Sequence, residues 1–206
     1  MDIIIPKIGL FFGSFNPVHI GHLIIAIKSL EIKKLDAVWF IVSPQNPHKK
    51  IESLLPAEER VKMLQLALKN NKGYLDKWKF QVSDIELKMP IPSYTVDTLR
   101  ELKKTHPTSE FYIIMGMDSF KSIDTWKDYK EIIENNKMLV FDRVGHDHDK
   151  EELLKAYPNL EFLSIPSFEL SSTYIRSQIK ENKSIKFMVP DNVIDYIKRN
   201  NLYTSI

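Results

Sequence analysis

Short apolar runs rich in β-branched and aromatic residues recur along this chain, and each is followed by a stretch whose apolar positions fall at helical spacing. Residues 8–12 predict a first buried strand, and 20–34 then place Leu23, Ala26, Ile27 and Leu30 on one helical face. Residues 37–43 predict a second strand and 56–70 a second helix, opened by Pro56 and given an acidic first turn by Glu58 and Glu59. A third strand is read over 78–84, and a helix over 94–104 with Ser93 as its N-cap. The run 110–116, closed by Gly116, is the clearest strand. Residues 137–141 and 160–165 predict two more, and 172–181 and 192–200 predict closing helices.

Strand and helix alternating at this spacing predict an α/β fold: an open, doubly wound, Rossmann-like and mainly parallel sheet with helices on both faces. Residues 1–206 read as a single domain, with no internal repeat and no low-complexity tract. The longest polar interruptions, 43–56 and 144–150, do not resemble a tether between domains. In such sheets ligands bind beyond the carboxyl ends of the strands, so chemistry is expected in the loops that follow them.

Composition narrows the class. Against 29 Lys+Arg stand 27 Asp+Glu, a formal net charge of +2 that lacks the concentrated basic excess of a general nucleic-acid coater. The absence of cysteine excludes disulfides, thiolate zinc sites and a cysteine nucleophile. No apolar run approaches the roughly 20 residues that span a bilayer, and the Met-Asp start lacks the basic and apolar regions of a secretory signal. A soluble cytoplasmic protein is expected, with neither nucleic acid nor membrane as partner. A homo-oligomer is left open.

The first strand runs into Gly13-Ser14-Phe15-Asn16-Pro17-Val18-His19-Ile20-Gly21-His22. Gly13 permits close backbone approach at the strand end, and Pro17 fixes the turn. His19 and His22 lie three apart at a helix start, hence on one face. A helix N-terminus presents unpaired N–H groups and a positive dipole end, which suit phosphate, and two imidazoles there add donors. Gly21 between them leaves a ligand room to pass. A single histidine at a helix start is ordinarily a cap or a solvated group, whereas two flanking a glycine after such a turn point to function. Metal binding is the weaker reading, because no third ligand lies nearby. The segment is neither a GxxxxGK[ST] loop nor a GxGxxG fingerprint.

This loop carries an HxGH signature and resembles the nucleotidyltransferase superfamily related to class I aminoacyl-tRNA synthetases. The rest of the chain resembles one branch of it, the bacterial nicotinate-nucleotide adenylyltransferases of NAD biosynthesis. The further segments are Pro47-His48-Lys49, Pro92-Ser93-Tyr94-Thr95 with Thr98-Leu99, Gly116-Met117-Asp118-Ser119, Thr125-Trp126, and Ser171-Ser172-Thr173-Tyr174-Ile175-Arg176. They occur in the family's order and cover essentially the whole chain.

The resemblance implies transfer of the adenylyl group of ATP to nicotinate mononucleotide, giving deamido-NAD and pyrophosphate. Mg²⁺ would be carried by the ATP phosphates, with no metal held by the chain's own ligands. It implies an ATP site of Gly13, Ser14, Phe15, His19, Gly21, His22, Gly116, Asp118, Ser172, Thr173 and Arg176, of which His19, His22 and Arg176 are catalytic. Residues 172–206 would then be the C-terminal helical segment that completes this site. Nicotinate mononucleotide would meet Asn16, His48, Lys49, Tyr94, Thr95, the amide of Val96, and Trp126.

Taken residue by residue, plainer readings stay open. His48 and Lys49 suit a cationic flap or a solvated loop, and Ser93-Tyr94-Thr95 an anion site or an ordinary cap. Trp126 suits a stacking face or the core, and Asp118 a ribose acceptor or the cap of the following turn. Ser172, Thr173 and Arg176 suit a polyphosphate clamp or a helix start. Phe12, Met117 and Lys127 depart from the family pattern. Phe12 and Met117 reshape packing, and Lys127 either brings a cation toward the nicotinate carboxylate or points to water. The rival functions are an adenylyltransferase for nicotinamide mononucleotide or phosphopantetheine, and a non-catalytic nucleotide-binding module. The Pro-Ser-Tyr-Thr and Thr-Trp segments favour a pyridine substrate, and a helix N-terminus favours the acid over the amide.

Overall fold

Every central strand of the chain is apolar on both sides, which is what a parallel sheet covered by helices requires. The computed structural model describes residues 5–44, 54–69, 79–142, 150–166 and 169–204. Among them the strands are β1 (Lys7–Gly13), β2 (Ala37–Val42), β3 (Lys79–Ser83), β4 (Glu110–Gly116), β5 (Lys137–Phe141) and β6 (Leu160–Leu163). They form one sheet in the order β3-β2-β1-β4-β5-β6, with every pairing parallel. This is the doubly wound order, and its direction of winding reverses between β1 and β4. There Leu10 lies opposite Trp39 on one side and Ile113 on the other.

Alternate strand residues enter two separate cores. Phe11, Phe40, Ile114 and Leu139 pack against α1 (Ile20–Lys33), α2 (Ala57–Lys69), α7 (Ser172–Lys180) and α8 (Asp191–Arg199), and Tyr203 joins the same core. Leu10, Ile41, Ile113 and Val140 pack against α3 (Thr95–Thr105), α4 (Met117–Phe120), α5 (Tyr129–Asn135) and α6 (Lys150–Ala156). Among the described residues no helix is long and apolar enough to cross a membrane.

The strands and long helices fall where the hydrophobic pattern puts them. The pattern does not reveal α4, α5, α6 or the 3₁₀ turns Ile85–Lys88 and Ile123–Thr125, because elements of three to seven residues offer too few turns for a period. One expectation is corrected. The N-cap of α3 is Tyr94, not Ser93, and the Ser93 hydroxyl instead donates to Glu86 Oε2 at 2.7 Å. Trp78 lies outside the described residues.

Candidate active site

A cavity of about 430 Å³ opens beyond the carboxyl ends of β1 and β4, where the winding reversal predicts a ligand crevice. The loop after β1 contributes Gly13, Ser14, Asn16, His19, Gly21 and His22 to its wall. The start of α7 adds Ser172, Thr173 and Arg176, and the end of β4 adds Gly116, Met117 and Asp118. Glu86, Ser93, Tyr94, Thr95, Trp126 and Lys127 complete it. His48 and Lys49 lie outside the described residues.

The loop after β1 is shaped by Phe15. Its backbone is left-handed, with φ at 46°, a costly state for a bulky residue, and its side chain is 1% exposed. The ring packs edge-on against Phe40 at 5.6 Å, Phe11 at 5.7 Å and His22 at 5.0 Å between centroids. A Cβ on Gly13 would stand 2.8 Å from Cζ of Phe15, so glycine is what allows the ring to fold under the strand end. Phe15, expected at the nucleotide, is therefore not on the cavity wall. Aromatic burial draws it beneath the loop, where it supports His22.

His19 is the N-cap of α1, and its backbone N–H donates to Nδ1 of His22 at 3.2 Å. That bond makes Nδ1 an acceptor and puts the ring proton of neutral His22 on Nε2. The two rings stack with centroids 3.7 Å apart. The HxGH spacing thus builds one two-imidazole surface on the first turn of a helix.

Arg60 secures this loop and was not among the residues singled out from the sequence. It is 0% exposed. Its Nη1 donates to the carbonyls of Ser14 and Ser43 at 2.8 Å each, Nη2 to Pro44 at 3.0 Å and Nε to Leu55 at 2.9 Å. One guanidinium therefore ties the ends of β1 and β2 to the entry of α2. Burial lowers its pKa, opposed by Tyr203 and Glu58. The signal that locates it is its place three, four and seven residues before Met63, Leu64 and Ala67, all buried: a charge on the apolar face of a helix.

The C-terminal segment folds back on the same loop. Ser171 caps α7, its Oγ accepting from the amide of Tyr174 at 3.2 Å. The Ser172 hydroxyl donates to the carbonyl of Pro17 at 2.9 Å. Arg176 Nη1 donates to the carbonyl of Asn16 at 2.8 Å, and Nη2 to Thr173 Oγ1 at 3.4 Å. Burial lowers the Arg176 pKa, opposed by Tyr203. Asn16 is buried, and its Oδ1 accepts from the Tyr203 hydroxyl at 2.9 Å and the Leu55 amide at 3.4 Å. Tyr203, a second residue the sequence reading missed, has its hydroxyl pKa raised by burial.

The remaining wall is aromatic and charged. Thr95 opens α3, while the Val96 side chain is buried in the core, leaving the Val96 amide rather than its side chain at the helix start. Glu86, 2% exposed, accepts from Ser93 Oγ at 2.7 Å and Thr98 Oγ1 at 2.9 Å. Burial pushes its carboxyl pKa up, against the hydroxyls of Ser93, Thr98 and Ser43. Trp126 is half-buried at the end of the 3₁₀ turn Ile123–Thr125. Asp118 is exposed within α4, whose N-cap is Gly116. Among the described residues no group of three or more His, Asp or Glu side chains is placed to hold a metal ion.

The site can be set beside known proteins. Residues 10–178 match the model of the cytidylyltransferase-like family. A probable nicotinate-nucleotide adenylyltransferase of Flavobacterium johnsoniae is 44% identical over 197 residues, covering 96% of this chain and 98% of the relative. One from Bacteroides fragilis is 43% identical over 183 residues, covering 89% and 87%. Among solved structures, the Plasmodium falciparum nicotinic acid mononucleotide adenylyltransferase complexed with NaAD superposes with a TM-score of 0.82 at 24% identity, covering 96% of this chain and 97% of that one. The chain therefore belongs to the cytidylyltransferase-like family and, within it, to the nicotinate-nucleotide adenylyltransferases.

Proposed function

We propose that the chain transfers the adenylyl group of ATP to nicotinate mononucleotide, giving nicotinate adenine dinucleotide (deamido-NAD) and pyrophosphate. The observation that carries this reading is a single cavity holding two stacked histidines, Arg176 and two helix starts together with Tyr94, Trp126 and Lys127. The first group suits a polyphosphate, because helix N-termini and charged N–H donors favour anions. The second suits a flat ring that bears a negative charge.

A 5′-phosphate oxygen of nicotinate mononucleotide attacks the α-phosphorus of ATP. The bond from that phosphorus to the oxygen bridging toward the β-phosphate breaks, and its electron pair leaves with pyrophosphate. The attacking oxygen is already an anion, so no general base is needed. The chain's work is to align the two nucleotides and to stabilise charge on the transferring and leaving groups.

His22 donates from Nε2 to a phosphate oxygen, with His19 stacked beside it, and Arg176 holds the departing pyrophosphate. Gly13, Ser14, Gly21, Gly116, Asp118, Ser172 and Thr173 surround ATP. The pyridine nucleotide takes Asn16, Tyr94, Thr95, the Val96 amide and Trp126, joined by His48 and Lys49. Mg²⁺ enters with ATP as part of the substrate. It keeps several of its waters and requires no carboxylate cage from the protein.

Residues 1–206 act as one domain of the cytoplasm, and 172–206 complete the ATP end. The bonds of Ser172 to Pro17 and of Arg176 and Tyr203 to Asn16, which join that segment to the loop carrying His19 and His22, support this reading. The test is pyrophosphate release from Mg-ATP with nicotinate mononucleotide, nicotinamide mononucleotide and phosphopantetheine in parallel. Fastest release is expected with the acid, and no release with it overturns the proposal.

A further inference from the structure

Lys127 lines the cavity beside Tyr94 and Trp126. Its Nζ lies 5.0 Å from the Tyr94 ring centroid and 2.8 Å from Asp97 Oδ2. The Lys127 and Asp97 side chains are 43% and 31% exposed, a setting in which an ion pair contributes little. Asp97 also has a second cation, since Arg100 Nη1 stands 3.1 Å from its Oδ1. Arg100 is held in turn by Asp128 at 2.8 Å and Glu131 at 2.5 Å. Lys127 can therefore leave while Asp97 stays paired.

The charge around this corner sets what an incoming carboxylate meets. Asp97, Asp128 and Glu131 face Arg100 and Lys127, three negative charges against two positive ones. A carboxylate entering here is repelled unless a cation turns toward it. Among the described residues lining the cavity, lysine and arginine occur at Lys127 and Arg176. Arg176 is bonded to Asn16 in the loop after β1. Lys127 carries a compact ammonium on a flexible stem, suited to exchanging partners without a fixed fork geometry.

We propose that Lys127 is a specificity-determining residue that selects a pyridine carboxylate over the neutral amide. Its ammonium exchanges Asp97 for the carboxylate of the acid nucleotide, and Arg100 keeps Asp97 paired. The amide offers no charge and leaves the ammonium on Asp97. The inference rests on the reading that the Tyr94–Trp126 wall receives the pyridine nucleotide.

The experiment measures kcat/KM for nicotinate and nicotinamide mononucleotides with the wild type, Lys127→Met and Asp97→Asn. Lys127→Met is expected to lower the acid-to-amide ratio about tenfold, through the KM of the acid and with the KM of ATP unmoved. Asp97→Asn removes the competing partner and is expected to raise the ratio about threefold. A pair that serves only structure predicts that both substitutions move the ratio the same way. That result, or an unmoved ratio in Lys127→Met, overturns the proposal. Wild-type protein that releases no pyrophosphate with the acid overturns the assigned reaction instead, so the two failures are distinguishable.

Discussion

His19 donates its backbone N–H to Nδ1 of His22 across 3.2 Å, so one histidine of the pair sets the tautomer of the other. The proton of neutral His22 is then on Nε2, and the donor is formed before any substrate arrives. Removing one preorganised donor of this kind costs roughly 10²–10³ in kcat. His22→Ala is expected to lose that much in pyrophosphate release at saturating substrates, with little change in Tm, because the residue is only half-buried. Turnover near the wild-type rate would remove His22 from the mechanism.

Arg60 has the opposite profile, structural at its own position and functional at a distance. Its guanidinium serves four backbone carbonyls, and Arg60→Met leaves them without that donor in a buried site. The four bonds are part-buried, so each orphaned carbonyl costs about 1 kcal/mol, the low end of the range for buried groups. With about 2–4 °C lost per kcal/mol in a chain of this size, a fall on the order of 10 °C in Tm is expected. Arg60→Lys keeps the charge but not the fork, and is expected to fall between the two with a raised KM for ATP. Calorimetry and ATP titrations check both, and an unshifted Tm in Arg60→Met contradicts the assigned role.

How much of this was legible in the sequence depends on the range over which each feature is encoded. The strands read plainly because both faces of the sheet are covered, which makes segments such as 111–115 apolar throughout. The histidine pair read plainly because helical spacing alone puts His19 and His22 on one turn. Short α4, α5 and α6 lack enough residues for a period. Ser93 looked like a cap because its competing partner, Glu86, sits in a 3₁₀ turn with no period of its own. The loop motif names Phe15 but gives only its neighbourhood, and the burial of its ring beneath the loop is set by contacts with Phe11 and Phe40. The bond from Tyr203 to Asn16 spans 187 residues, and nothing local at either end announces it. Arg60 was readable as a charge on an apolar helical face.

Trp126 tests which wall takes which substrate. It stands with Tyr94 and Lys127 on the cavity wall, on the segment that follows β4 and not on the loop after β1 that holds His19 and His22. A Trp side chain offers the largest flat face for stacking on an aromatic ring. Trp126→Ala is expected to raise the KM for nicotinate mononucleotide and leave the KM for ATP unchanged. Steady-state kinetics with each substrate varied in turn decides the matter, and the reverse pattern exchanges the two pockets.

Glu86 links the fold to pH. Burial raises its carboxyl pKa above the ordinary 4.5, and the hydroxyls of Ser93, Thr98 and Ser43 oppose that shift without cancelling it. A raised carboxyl pKa means that the folded protein favours the protonated form. The contribution is fully present below about 4.5 and is lost as pH rises through the raised value. Glu86→Gln stays neutral throughout and escapes that loss. Its Tm, compared with that of the wild type in melts from about pH 4 to about pH 8, is expected to differ least at the acid end. The difference should grow in the variant's favour as pH rises and level off once Glu86 is ionised in the folded state. A difference that is constant, or that shrinks toward neutral pH, means that hydrogen bonding and not burial governs this carboxyl.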